Sequence, residues 1–171
     1  MKKSLFLMVI SLFMAVAVHA QKFALVDMEY ILGNIPAYEQ ANKQIESASK
    51  QRQAEVDKLA QEAKQLFSAY QAKVETMSKA ERQKSEEAVI AKEKAASDLR
   101  RKYFGPEGEL QKKQQQLLQP IEDQVYEAVK TIATRRGYAA VIDRASASSI
   151  LFASPDIDIS DEVLDQMGYH N

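Results

Sequence analysis

Apolar and small residues recur at steps of three and four through the middle of the chain, at Val56, Leu59, Ala63, Leu66, Tyr70, Val74 and Met77. That spacing keeps one seam on one face of a helix. The surrounding stretch, 37–135, is rich in Ala, Gln, Glu and Lys. Ala63 and Tyr70 alternate with leucine, so the seam is too uneven for a stiff two-chain rod and calls for a partner. At Met77-Ser78-Lys79-Ala80-Glu81 the pattern stops and restarts, and Ser78 with Glu81 forms a capping box. A hairpin tip is therefore predicted near 77–80, with a first helix over 37–77 that would reach roughly 60 Å at 1.5 Å per residue. The return helix offers Ala88, Ala91, Ala95, Leu99, Lys102 or Tyr103, Leu110, Gln114, Leu117, Ile121, Val125, Ala128 and Ile132 as its seam. Phe104-Gly105-Pro106-Glu107-Gly108 interrupts it. Keeping both glycines and the proline in a regular helix would cost about 5 kcal/mol relative to alanine, so a break is expected over 104–108. It would lie opposite 51–53 and act either as a hinge or as a static kink.

The two ends carry strand patterns instead. Residues 22–27 (KFALVD) read as a strand, Asp27 caps a short helix over 28–32, and Gly33-Asn34-Ile35-Pro36 breaks that helix. Arg135, Arg136 and Gly137 close the return helix. Residues 138–143 (YAAVID) read as a second strand and 149–153 (SILFA) as a third, and Ser160 caps a last helix over 161–167. The fold class expected is α+β, mostly α, with a three-stranded β body at 21–36 and 134–171 and a helical hairpin arm at 37–133. Three short apolar strands do not make a stable sheet alone, so the body is expected to self-associate, with Phe23, Leu25, Val141, Ile142, Ile150 and Phe152 as its core.

Residues 1–20 combine Lys2 and Lys3, an apolar run from Leu5 to Val18, and Val18-His19-Ala20 as a small-residue cleavage site. This is the pattern of a secretory signal peptide, and its apolar core is short of the ~20 residues needed to cross a bilayer. The processed chain, starting at Gln21, is expected to be exported and to keep no membrane span. Losing Lys2 and Lys3 takes the 23 basic residues to 21 against 24 acidic ones. Both signs are interspersed along the helices, without the clustered positive footprint of a nucleic-acid binder. There is no cysteine, hence no disulfide.

Catalytic patterns are missing as well. Ser146, Ser148, Ser149 and Ser154 form no nucleophile elbow, and the histidines, His19 and His170, sit in the leader and at the tail. Asp156, Asp158 and Asp161 do not match a calcium loop, which would need Gly where Asp161 stands and Glu where Met167 stands. No glycine loop suits a phosphate. No enzyme activity, metal or cofactor is expected.

Lys22-Phe23-Ala24-Leu25-Val26-Asp27-Met28, Val141-Ile142-Asp143 and Asp158-Ile159-Ser160-Asp161-Glu162-Val163-Leu164 resemble, as an ordered set, the Skp (OmpH) family of periplasmic chaperones. The interrupted return helix resembles the Bacteroidetes branch of that family. The resemblance covers the whole chain after the leader. It implies a homotrimer whose strands pool into one body while three hairpins surround a cavity. That cavity would hold unfolded outer-membrane proteins in the periplasm, without ATP. Phe67, Ile90, Tyr103 and Phe104, beside or off the seam, are the candidates for client contact, and they read equally as a widened packing stripe within the hairpin. The rival reading is an exported structural coiled coil that spaces the envelope. A spacer would more naturally keep one unbroken heptad run.

Overall fold

The computed structural model describes residues 22–147 and 149–169; the expected leader, 1–20, lies outside the described residues. The elements run β1 (Lys22–Val26), α1 (Met28–Gly33), α2 (Pro36–Lys73), α3 (Lys79–Phe104), α4 (Glu109–Arg136), β2 (Tyr138–Asp143), a 3-10 turn (Pro155–Ile157) and α5 (Ser160–Gln166).

The hairpin is made by α2 going out and α3 and α4 coming back. Pro36 opens α2, where a missing amide is harmless. The helix ends at Lys73, before the expected Met77, because Thr76 turns back with its amide and hydroxyl on the Lys73 carbonyl at 3.0 and 2.9 Å. Ser78 then caps α3: the Glu81 carboxylate accepts from the Ser78 amide at 2.8 Å, and Ser78 Oγ accepts from the Glu81 amide at 3.4 Å.

On α3 the buried residues are Val89, Ala96 and Tyr103, one per heptad, and on the distal part of α2 they are Val56 and Ala63. The expected return seam is therefore displaced by one position here, since Ala88, Ala91 and Ala95 face solvent. Alanine carries little apolar area, and the larger Val89 and Tyr103 decide which face turns inward. On α4 the buried set is Ile121, Val125, Ala128 and Ile132, in the expected phase.

The return helix breaks between Phe104 and Glu109. Gly105 and Gly108 have ordinary φ angles of −70° and −65°, so the turn needs them for space. A Cβ on Gly105 would lie 2.4 Å from the Arg101 carbonyl oxygen, and one on Gly108 2.7 Å from that of Tyr103. Opposite this break α2 continues without interruption.

β1 and β2 are parallel, with Ala24 opposite Val141, Leu25 opposite Ile142 and Val26 opposite Asp143. Parallel pairing is what a long crossover between two strands permits, and the whole hairpin is that crossover. The other edge of β1 is taken by the C-terminal segment: Asp158 bridges Leu25, and the Ile159 amide donates to the Leu25 carbonyl at 2.9 Å. The expected third strand at 149–153 is not formed among the described residues. Instead the Ile150 amide bonds the Ala147 carbonyl at 3.2 Å in a turn, and Leu151 and Phe152 are 98% and 86% exposed. Both edges of β1 are occupied, by β2 and by Asp158, and among the described residues nothing pairs with the outer edge of β2.

One apolar core lies beneath β1, built from Ala24 and Val26, from Ile31 and Ile35 around α1, from Val125 and Ile132 at the base of α4, and from Val163 and Leu164 of α5. Val141 packs against it. Ser160 does not cap α5 with its side chain. It is buried, its hydroxyl donating to Asp158 at 2.6 Å and accepting from the Asp27 amide at 2.8 Å, while Asp158 takes the Ser160 amide at 2.9 Å.

Candidate functional site

The two flanks of the hairpin differ. One is crossed by polar pairs: Glu62 meets Lys92 at 2.7 Å, and the Tyr103 hydroxyl donates to Glu55; nearer the tip the Tyr70 hydroxyl donates to Glu86. These pairs fix the antiparallel register. They also hold Glu62 and Glu55 below the usual carboxyl range, the first mainly through the hydrogen bond from Lys92, the second mainly through that from Tyr103.

The other flank opens into a groove of about 400 Å³, lined by Val56, Ala60, Ala63, Lys64 and Phe67 of α2 and by Glu93, Ala96, Ser97 and Arg100 of α3. Its origin is the small size of Ala60, Ala63, Ala96 and Ser97, which leave the space between two helix backbones unfilled. The floor is apolar; Lys64, Glu93 and Arg100 make a charged rim of both signs.

Phe67 forms part of this groove and is 44% exposed. Ile90 and Phe104, 63% and 36% exposed, each stand seven residues from the groove residue Ser97. They therefore share one line along α3, each roughly 10.5 Å from Ser97 and about 21 Å from the other. The Lys92–Glu62 and Tyr70–Glu86 pairs place Phe67 within a turn of the level of Ile90. Phe67, Ile90 and Phe104 are thus brought to one flank. Tyr103 is not among them: it is buried in the seam, with the Arg52 guanidinium 4.5 Å from its ring centroid. The sequence reading missed both the groove, whose signal is the run of alanines at seam positions, and the role of Arg52.

The body candidates separate by face. Ala24 and Val26 point into the core, so strand alternation and the ladder register put Phe23, Leu25 and Ile142 on the opposite face. Leu25 is buried, Ile150 half-buried, and Phe23, Ile142 and Phe152 are 49%, 39% and 86% exposed. Val141 belongs to the chain's own interior. Among the described residues no acidic or histidine cluster is arranged to hold a metal, and no helix is long and apolar enough to cross a membrane.

The chain matches the model of a family described as outer membrane protein (OmpH-like) over residues 22–167. It is 28% identical over 151 residues to the chaperone protein Skp of Yersinia enterocolitica, covering 88% of each chain. It is likewise 28% identical over 148 residues to the chaperone protein Skp of Pectobacterium atrosepticum, covering 86% of each. Its fold is similar to the crystal structure of an OmpH-like protein from Caulobacter crescentus, with a TM-score of 0.64, 15% identity, and coverage of 85% of this chain and 82% of that one.

Proposed function

Because the chain belongs to the OmpH-like outer membrane protein family, we propose that it is a periplasmic chaperone that keeps unfolded outer-membrane proteins soluble without ATP. Its relatives are chaperones rather than enzymes, and the chain is not an enzyme. The observation that carries the holdase reading is the exposed flank of Phe67, Ile90 and Phe104 beside a shallow groove. Such a surface offers many weak contacts in place of a few strong ones, which lets a client leave without an energy source.

Three chains would join through the uncovered sheet face at Phe23 and Ile142 and through Phe152, forming the body from 21–36 and 134–171. In that assembly the segment 149–153 would become the third strand, on an edge that a neighbouring chain supplies. The arms, 37–133, would then enclose the client. The leader would be removed after Ala20, in keeping with export to the periplasm.

The test is dilution of a urea-unfolded outer-membrane β-barrel protein into buffer with the chain starting at Gln21, without nucleotide. Light scattering from aggregates should fall in proportion to added chaperone, and should stay low above physiological ionic strength, because exposed charges of both signs are screened there and are not the main grip. Equal aggregation with and without the protein would overturn the chaperone reading and leave the envelope spacer.

A further inference from the structure

Three helices meet at Arg52. It belongs to α2, yet its guanidinium stacks on Tyr103 at the end of α3, 4.5 Å from the ring centroid. Its nitrogens lie 3.0 Å from Glu55 of its own helix and 3.4 Å from Glu109 in the first turn of α4. The Tyr103 hydroxyl, donating to Glu55, closes the set, and Lys102 reaches Glu109 at 3.2 Å. Within the turn the Gly108 amide donates to the Gly105 carbonyl and the Glu107 amide to Gln111, both at 2.8 Å, but these bonds do not reach α2, and Gly108 gives α4 no side-chain cap. Apart from Tyr103, α3 buries only Val89 and Ala96. A planar guanidinium can lie on a ring and present its edges to two carboxylates at once, which an ammonium cannot.

We propose that Arg52 is the positioning residue of the arm: by holding Tyr103 and Glu109 to α2 it fixes the angle between α3 and α4, and it makes that angle responsive to ionic strength. The response follows from exposure. The Arg52 and Glu109 side chains are 39% and 41% accessible, so salt weakens their attraction while the stacked, buried Tyr103 stays in place. The unbroken α2 confines the movement to the return leg, where it would turn Phe104 and the groove flank relative to the body. The inference concerns geometry and needs no client; only its effect on capture rests on the chaperone reading.

The chain has no cysteine, so spin labels at Ala95→Cys and Gln115→Cys, both exposed and on either side of the break, report the angle. Labelled chain is diluted into unlabelled chain, without client. The parent should give one narrow distance distribution at low salt that broadens as salt rises. Arg52→Ala should be broad at every ionic strength, with helix content unchanged by circular dichroism. Arg52→Lys keeps the charge but loses the stack, and should be broader than the parent while still responding to salt. Glu109→Gln, which removes the ion pair, should already be as broad at low salt as the parent is at high salt, and should lose the salt response. An Arg52→Ala distribution as narrow and as salt-responsive as the parent's would overturn the proposal, as would an unaltered salt response in Glu109→Gln. Neither result bears on whether clients are held.

Discussion

The amide of Ile159 donates a 2.9 Å hydrogen bond to the carbonyl of Leu25, tying the C-terminal segment to the first strand across the edge that β2 leaves open. Directly after it, Val163 and Leu164 enter the core at 0% and 1% exposure. Leu164→Ala should therefore lower the unfolding free energy by about 2–5 kcal/mol, as buried leucine truncations do. Urea titration at fixed chain concentration reads this as a lower midpoint with an unchanged slope. A loss below about 1 kcal/mol would mean that α5 is not part of the cooperative core.

Association is tested on the opposite face of the same sheet. Phe152→Ser combined with Ile142→Ser removes apolar surface that one chain leaves in water, so the single-chain fold should survive. Light scattering should show the particle mass falling from three chains towards one, with far-ultraviolet circular dichroism retained. A double variant that stays trimeric would place the interface elsewhere.

For the arm, Phe67→Ser, Ile90→Ser and Phe104→Ser together should reduce suppression of barrel aggregation several-fold, each alone having a small effect because the contacts are weak and replaceable. All three side chains are exposed, so helicity should not change. Glu62→Gln, on the polar flank, should leave capture unaltered. Equal losses from both flanks would show that the groove side has no special role.

Features that act within one helical turn were legible in the sequence. The Ser78–Glu81 box, the left-handed Gly137 at φ 71° and the break around Pro106 each depend on a few neighbouring residues. What depends on a distant partner was not. Tyr103 read both as a seam position, in the alternative with Lys102, and, like Phe104, as a client-contact candidate beside the seam; its contacts with Arg52 and Glu55, far off in the chain, go with its burial. Arg52 itself read only as part of the stretch 51–53 opposite the break. Residues 149–153 have strand composition, but Asp158 and Ile159 hold the second edge of β1, and the segment turns at 147–150 and, among the described residues, does not pair with the outer edge of β2.

Acid and alkali should each destabilise the hairpin. Glu55, Glu62 and Glu81 are lowered by hydrogen bonds from Tyr103, Lys92 and Ser78 respectively. A lowered carboxyl adds stability above its ordinary value of 4.5 and loses it as pH falls through the folded value beneath. Tyr70 and Tyr103 are raised, chiefly by donating to Glu86 and Glu55, so their share is complete below the ordinary 10.0 and is lost above it. The thermal midpoint followed by circular dichroism should be level between these limits. A decline already under way at neutral pH on the acid side would contradict this assignment.

Two glycine-to-alanine changes should have opposite signs. Gly33 closes α1, and an added methyl there would meet nothing within 4 Å, so Gly33→Ala only removes freedom from the unfolded chain and should stabilise by about 0.4–1 kcal/mol. Gly108 is buried at the break, where a Cβ would stand 2.7 Å from the Tyr103 carbonyl oxygen and 2.8 Å from that of Gly105. Both are backbone atoms, which cannot swing aside as a flexible side chain does. Gly108→Ala should therefore cost about 1–3 kcal/mol, the range for forcing extra volume into a packed site. Because the Gly108 φ of −65° suits alanine, the loss would come from crowding alone. The turn would relieve it by opening, and the Arg52–Glu109 distance would lengthen with it. Urea midpoints of the two variants, measured side by side, decide the matter: equal gains would show that the turn has room for a methyl group and that the tight packing of 105–108 does not persist in solution.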